Sequence, residues 1–186
     1  YTSVIPVFRL DTAIDYTRDK EKTSRKKGDS AGSLREAIDY ARNKEKTEQV
    51  FFEDAIGCTL EHAYEDMVTT KRQFHKLDKV QGFHLVQSFA PGELSPELAH
   101  LIGVELAERL LKGEFEVVVT THLNTKCYHN HLVWNSVSMT DGHKYRSNSR
   151  SYFMEVRKTS DELCRKYGLS VIQSTKRGSK SYAEWI

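Results

Sequence analysis

His122, His129 and His131 fall within one short stretch, HLNTKCYHNHLVWN, and imidazoles at this density are the strongest chemical signal in the chain. Read as a strand, the run from His129 to Ser138 alternates sides: His129, His131, Val133, Asn135 and Val137 share one face, and Leu132, Trp134 and Ser136 share the other. The preceding run FEVVVTTH, residues 115–122, is also strand-like, rich in valine and threonine. With Leu123 to Tyr128 as a hairpin loop, His122 ends one strand beside the start of its antiparallel neighbour. Three imidazoles then converge as a metal site with open coordination positions, and such a donor set by itself favours zinc or nickel. A helical HExxH is absent, which argues against a metalloprotease.

Several neighbouring residues carry two readings. Asn135, on the histidine face, binds a ligand water or a phosphate, or else makes a hydrogen bond on the sheet face. His84, in the alternating run GFHLVQSF, either orients a ligand from behind or packs as an ordinary strand residue. Lys144, Arg146 and Arg150, in HKYRSNSRSY, interleave cations with tyrosines as a phosphate-and-base surface would, and equally suit a solvated loop. His62, His75 and His100 read as surface or core.

The elements that must position these groups can be read from periodicity. SVIPVF (3–8) and GFHLVQSF (82–89) are strands, Pro6 placing the first at an edge or a bulge. In TLEHAYEDMVTTKRQFHK (59–76), Leu60, Tyr64, Met67 and Phe74 form a core-facing helical stripe, with Thr59 as its cap. A long helix begins with Ser95 as N-cap and Pro96 at its first position, aligns Leu98, Leu101, Ile102, Leu106 and Leu110, and stops at Gly113. A further helix spans Tyr152 to Lys166 and ends at Gly168, with LSVI as a short strand after it. Near the N-terminus AIDYTRDKEKT (13–23) recurs as AIDYARNKEKT (37–47). The first copy is capped by Asp11 and the second by a Ser33/Glu36 capping box. Hairpins mixed with helical crossovers in this order imply an α+β sandwich with a mainly antiparallel sheet.

Composition sets the outer bounds. A chain of 186 residues with 38% hydrophobic and 29% charged content suits a single domain with its own core. A net charge of +2 does not announce a nucleic-acid binder, since lysines and glutamates interleave along most of the chain. Three cysteines without paired spacing suit a reduced, cytoplasmic protein. No apolar run has the length of a membrane span. The chain ends at SYAEWI without a closing cap, so residues 1–186 read as the N-terminal domain of a longer protein.

The hairpin THLNTKCYHNHLVWNSV, the run FHLVQSFAPGELSPE and the IDY…KEKT segments together resemble the relaxase/mobilisation nucleases of conjugative and mobilisable elements, most closely the MobP-type branch. These belong to the HUH endonuclease class, named for two histidines flanking one residue, here His129-Asn130-His131, with His122 matching the third ligand. The resemblance implies an HUH-type sandwich, a central mainly antiparallel sheet flanked by helices. It also implies nicking of one DNA strand at an origin of transfer, a 5′-phosphotyrosine adduct and later religation. Magnesium or manganese is the metal it implies, in place of the zinc or nickel that imidazoles alone favour. Single-stranded DNA is the substrate, with accessory relaxosome proteins and a coupling protein as partners. Tyr40 or Tyr16 is the implied nucleophile. Tyr40 follows the family pattern into VFFEDAIGC, whereas Tyr16 lies closer to the first strand. Two other readings stay open: an HUH nuclease of rolling-circle replication or transposition, and a non-catalytic DNA-binding domain whose histidines hold a structural ion.

Overall fold

The computed structural model describes residues 2–7, 38, 52–123 and 125–172. Tyr16 and Tyr40, the caps Asp11, Ser33 and Glu36, and both repeat copies apart from Ile38 lie outside the described residues.

Five strands form one sheet: β1 (Thr2–Val7), β2 (Glu53–Ile56), β3 (Gly82–Ser88), β4 (Val117–His122) and β5 (His129–Asn135), in the order β1-β3-β5-β4-β2. All four pairings are antiparallel. The architecture is therefore the α+β arrangement implied by the sequence, with the HNH strand at the centre of the sheet. The hairpin loop runs from residue 123 to 128, as the change from β-branched to polar sequence implies, and pairs His122 with His129. β2 was not apparent from the sequence. Two of its four residues are acidic, and what makes it a strand is its pairing with the valine run of β4.

The two faces of the sheet have separate cores. On one, Phe83, Leu85, Val117, Val119, Leu132 and Trp134 pack under helix α2 (Pro96–Leu111) and helix α3 (Lys158–Lys166), which adds Leu163. On the other, Val118 and Val133 meet Ala63 and Met67 of helix α1 (Ala63–Gln73), together with Ile38. The alternation read along β5 thus holds: Leu132 and Trp134 face α2, while Val133 faces α1.

Helix α2 starts as expected. The Ser95 side chain accepts a hydrogen bond from the Leu98 N–H at 3.2 Å, and Pro96 follows it. Its last turn closes on Lys112 and Gly113, both in the left-handed region. The buried stripe is rotated from the expected one. Leu101 is 51% exposed, and Ala99, Ile102, Gly103, Leu106 and Ala107 are buried. Small residues win this face because the helix lies close to the sheet: a Cβ on Gly103 would sit 2.7 Å from the Asn130 side chain.

Other expectations are corrected. α1 begins at Ala63, and Thr59 does not cap it; instead the Asp66 carboxylate accepts from the Thr59 N–H at 3.0 Å, tying the preceding loop to the helix. The helical stretch expected from Tyr152 starts with a short turn at Ser149–Ser151, passes through a π-helical segment at Tyr152–Arg157 and continues as α3. LSVI forms no strand. Leu169 packs into the core beside α3, its N–H bonded to the Cys164 carbonyl, which closes the helix end instead of extending the sheet. Among the described residues no helix is long and apolar enough to cross a membrane.

Candidate metal centre and its surroundings

The three central strands each contribute histidine to one face. His122 ends β4 opposite His129 at the start of β5, and His131 follows two residues later, opposite Thr120 of β4 and Val86 of β3. Because strand side chains repeat with period two, the three rings emerge together on the α1 side of the sheet. Ring centroids are 4.1 Å apart for His122 and His131, and 5.0 Å for each pair that includes His129. One nitrogen from each ring lies within 4.8 Å of the others. His122 and His131 are buried and His129 is half-buried, so the cluster opens toward solvent on the His129 side.

The ring orientations suit metal ligation. His129 Nδ1 lies 3.1 Å from the Cys127 carbonyl, which accepts the Nδ1 proton and leaves Nε2 as the nitrogen with a lone pair. His131 Nδ1 lies 2.7 Å from Nε2 of His84, and the two rings stack at 4.9 Å. Burial pushes His84 down to about 4, so it is a neutral imidazole at ordinary pH. Three imidazoles with two of their Nδ1 atoms already engaged fit a divalent transition ion that keeps open positions.

Asn130, between the two histidines of the motif, points to the opposite face. Its amide donates to the Ala99 carbonyl at 2.7 Å and to Gln87 Oε1 at 3.0 Å, and its carbonyl accepts from Thr121 Oγ1 at 2.7 Å. Thr121 in turn meets His100 Nδ1 at 2.7 Å, and His100 Nε2 meets Asp54 at 3.0 Å. His100 is thus a buried core histidine, as its ordinary reading held. With every amide atom of Asn130 engaged beneath α2, the pleat of β5 is fixed and both flanking histidines are aimed outward.

The remaining candidates are placed elsewhere. Asn135 shares the histidine face but is fully buried four residues farther along, about 13 Å at the strand rise. Its carbonyl accepts from Lys71 Nζ, and its amide donates to Met67 O at 3.1 Å and Glu116 Oε2 at 3.0 Å. These bonds tie Asn135 to α1 and to the residue before β4. Lys71 and Glu116, both buried, had no signal in the sequence beyond being charged residues on a helix and beside a strand. Burial pushes Lys71 down to about 7 in spite of Glu116 nearby. Lys144 pairs with Val137 beyond the far end of β5, and its ammonium donates to the Asp78 carbonyl at 2.7 Å, away from the histidines. Arg146 and Arg150 are exposed.

The chain is similar to known proteins. The chain is 38% identical over 126 residues to "Protein rlx" of Staphylococcus aureus, a match covering 68% of this chain and 38% of that protein. It is 30% identical over 124 residues to "Group II intron-interrupted relaxase LtrB" of Lactococcus lactis subsp. cremoris, covering 59% of this chain and 22% of that one. The chain therefore spans well under half the length of these relatives. A solved structure described as "Molecular Basis of Vancomycin Resistance Transfer in Staphylococcus aureus" aligns with a TM-score of 0.46 at 17% identity, over 64% of this chain and 72% of that one. Residues 40–169 match the model of the MobA/VirD2-like relaxase nuclease domain, which takes in the whole histidine hairpin, and the chain belongs to that family.

Proposed function

We propose that this domain is a DNA relaxase that nicks one strand at an origin of transfer, with Tyr40 as its nucleophile. The observation that carries this reading is the convergence of His122, His129 and His131 on a sheet face where Ile38 is also buried. Ile38 packs with Val133, which follows His131 by two residues on the same face. Tyr40 follows Ile38 by two residues in the sequence and leads into VFFEDAIGC, as the family pattern does. Tyr16 follows β1 at a chain distance that fixes nothing.

In this reading the Tyr40 hydroxyl loses its proton and attacks the scissile phosphorus. A tyrosine–phosphate bond forms, the bond to the 3′ oxygen breaks, and that oxygen leaves as a 3′-hydroxyl after taking up a proton. One phosphodiester replaces another, so the reverse attack by a 3′-hydroxyl reseals the strand without an external energy source. A phenol ordinarily near 10 needs activation. A divalent cation held by His122, His129 and His131 would supply Lewis acidity at the phosphate's non-bridging oxygens. Magnesium or manganese is the proposed ion, and single-stranded DNA the proposed substrate. Arg146 and Arg150 are proposed to touch its phosphates, so binding weakens as salt rises. Accessory relaxosome proteins and a coupling protein are the proposed partners.

The test is a denaturant-resistant protein–DNA adduct, formed with Mn2+ and single-stranded oligonucleotides tiled across the transfer origin. The proposal expects a band with the unmodified protein and none with His129→Ala. Oligonucleotides that bind without ever giving a band would favour a domain that only holds DNA.

A further inference from the structure

We propose that His84 is a positioning residue, one that holds His131 in the single tautomer able to bind a divalent cation; this rests on the metal reading of the three histidines. The two residues sit on the central strands β3 and β5. His84 pairs with Val133 and Val86 with His131, so they are diagonal cross-strand neighbours on one face. The contact between His84 Nε2 and His131 Nδ1 is 2.7 Å, with the rings 29° from parallel.

A neutral imidazole carries one N–H, and the nitrogen that binds a metal must not be the one that carries it. With Nδ1 of His131 facing His84, only Nε2 remains for the ion, so the proton must sit on Nδ1 and be donated to His84. The reverse arrangement, in which His84 donates from Nε2, moves the His131 proton to Nε2 and removes a ligand from the site. His129 faces no such choice, because the Cys127 carbonyl can only accept. One N–H···N bond with two possible directions therefore decides whether the centre has three donors or two, and the tautomer of His84 sets the direction.

An acceptor-only side chain at position 84 should preserve the competent state, and a side chain with no acceptor should not. Full-length protein labelled with 15N is examined without metal by long-range 1H–15N NMR, and Mn2+ binding is measured by calorimetry, for the unmodified chain, His84→Leu and His84→Glu. Thermal melts identify any variant that fails to fold. The expected result is a proton on Nδ1 of His131 in the unmodified protein, retained in His84→Glu and lost or mixed in His84→Leu. Mn2+ affinity should fall roughly 10–100-fold in His84→Leu and stay close to normal in His84→Glu. A His131 proton on Nε2 in the unmodified chain, or a folded His84→Leu that binds Mn2+ normally, overturns the proposal. Unmodified protein that keeps the Nδ1 proton yet binds Mn2+ no better than His129→Ala overturns the metal reading itself, and with it the role given to His84.

Discussion

Gly103 lies on the opposite side of the sheet from the histidines, yet Gly103→Ala should disturb the histidine cluster. A Cβ there meets Cγ and Nδ2 of Asn130 at 2.7 Å and its Cβ at 3.2 Å, with no flexible chain end to give way. Asn130 must shift, and the first bonds to go are those from its amide to the Ala99 carbonyl and to Gln87. Overpacking a core contact costs about 1–3 kcal/mol, and leaving a buried polar group unsatisfied about 1–3 kcal/mol more. Together these put the loss at roughly 2–6 kcal/mol, which in a chain of this size lowers the melting temperature by about 4–24 °C. Because Asn130 lies between His129 and His131, the same shift changes how the two rings project. Mn2+ affinity should therefore fall along with stability. A double-mutant cycle separates this cause from general damage. Asn130→Ala alone loses the network, but Gly103→Ala added to it has room for its methyl. The pair should be more stable than the sum of the single losses by about 1 kcal/mol or more. Strict additivity in thermal melts and calorimetry, or a Gly103→Ala protein that melts and binds Mn2+ normally, would refute the reasoning.

Lys71→Met removes the donor to the Gln81 and Asn135 carbonyls and leaves Glu116 buried without its cation, so chemical denaturation near pH 6.5 should show a loss of about 3–5 kcal/mol. The folded-state value for Lys71, near 7, lies below its unfolded value of 10.5. Between those values the unfolded chain holds the extra proton, so the unmodified protein gains stability as pH rises above 7, and its margin over Lys71→Met should widen from pH 7 to 9. A flat margin across that range would contradict the burial argument. Ser95→Ala should cost about 1 kcal/mol in thermal melts by removing the cap on Leu98, without altering Mn2+ affinity. Mn2+ at about 100 times its dissociation constant should stabilise the protein by roughly 2.7 kcal/mol. A chelator should reverse that gain, His129→Ala should abolish it, and Cys127→Ala should leave it intact, since Cys127 serves the site through its backbone carbonyl.

The hairpin was legible in the sequence because strand alternation and a polar loop fix the same register, and a slip of one residue would turn His129 and His131 into the α2 core. The start and stop of α2 were legible because Ser95, Pro96 and Gly113 act locally. What lay hidden depends on contacts between distant segments. Leu101 looks like a core residue by spacing, but the close approach of α2 to Asn130 selects Gly103 and the alanines for the buried face. β2 carries Glu53 and Asp54, and only the valines of β4 reveal it as a strand. Nothing in the local sequence distinguishes Lys71 and Glu116 from solvated charges, since their hydrogen bonds run to Asn135 and Gln81 across the fold. His84 was left open between packing and orienting a ligand because its partner lies on another strand, across a pairing that alternation alone does not fix.

The most direct test of the central claim is mass-spectrometric mapping of the covalent adduct formed with single-stranded transfer-origin DNA. The account predicts a phosphodeoxynucleotide on the peptide that contains Tyr40, with the adduct lost in Tyr40→Phe and kept in Tyr16→Phe. The modification found on Tyr16, or an adduct that survives in Tyr40→Phe, would contradict it.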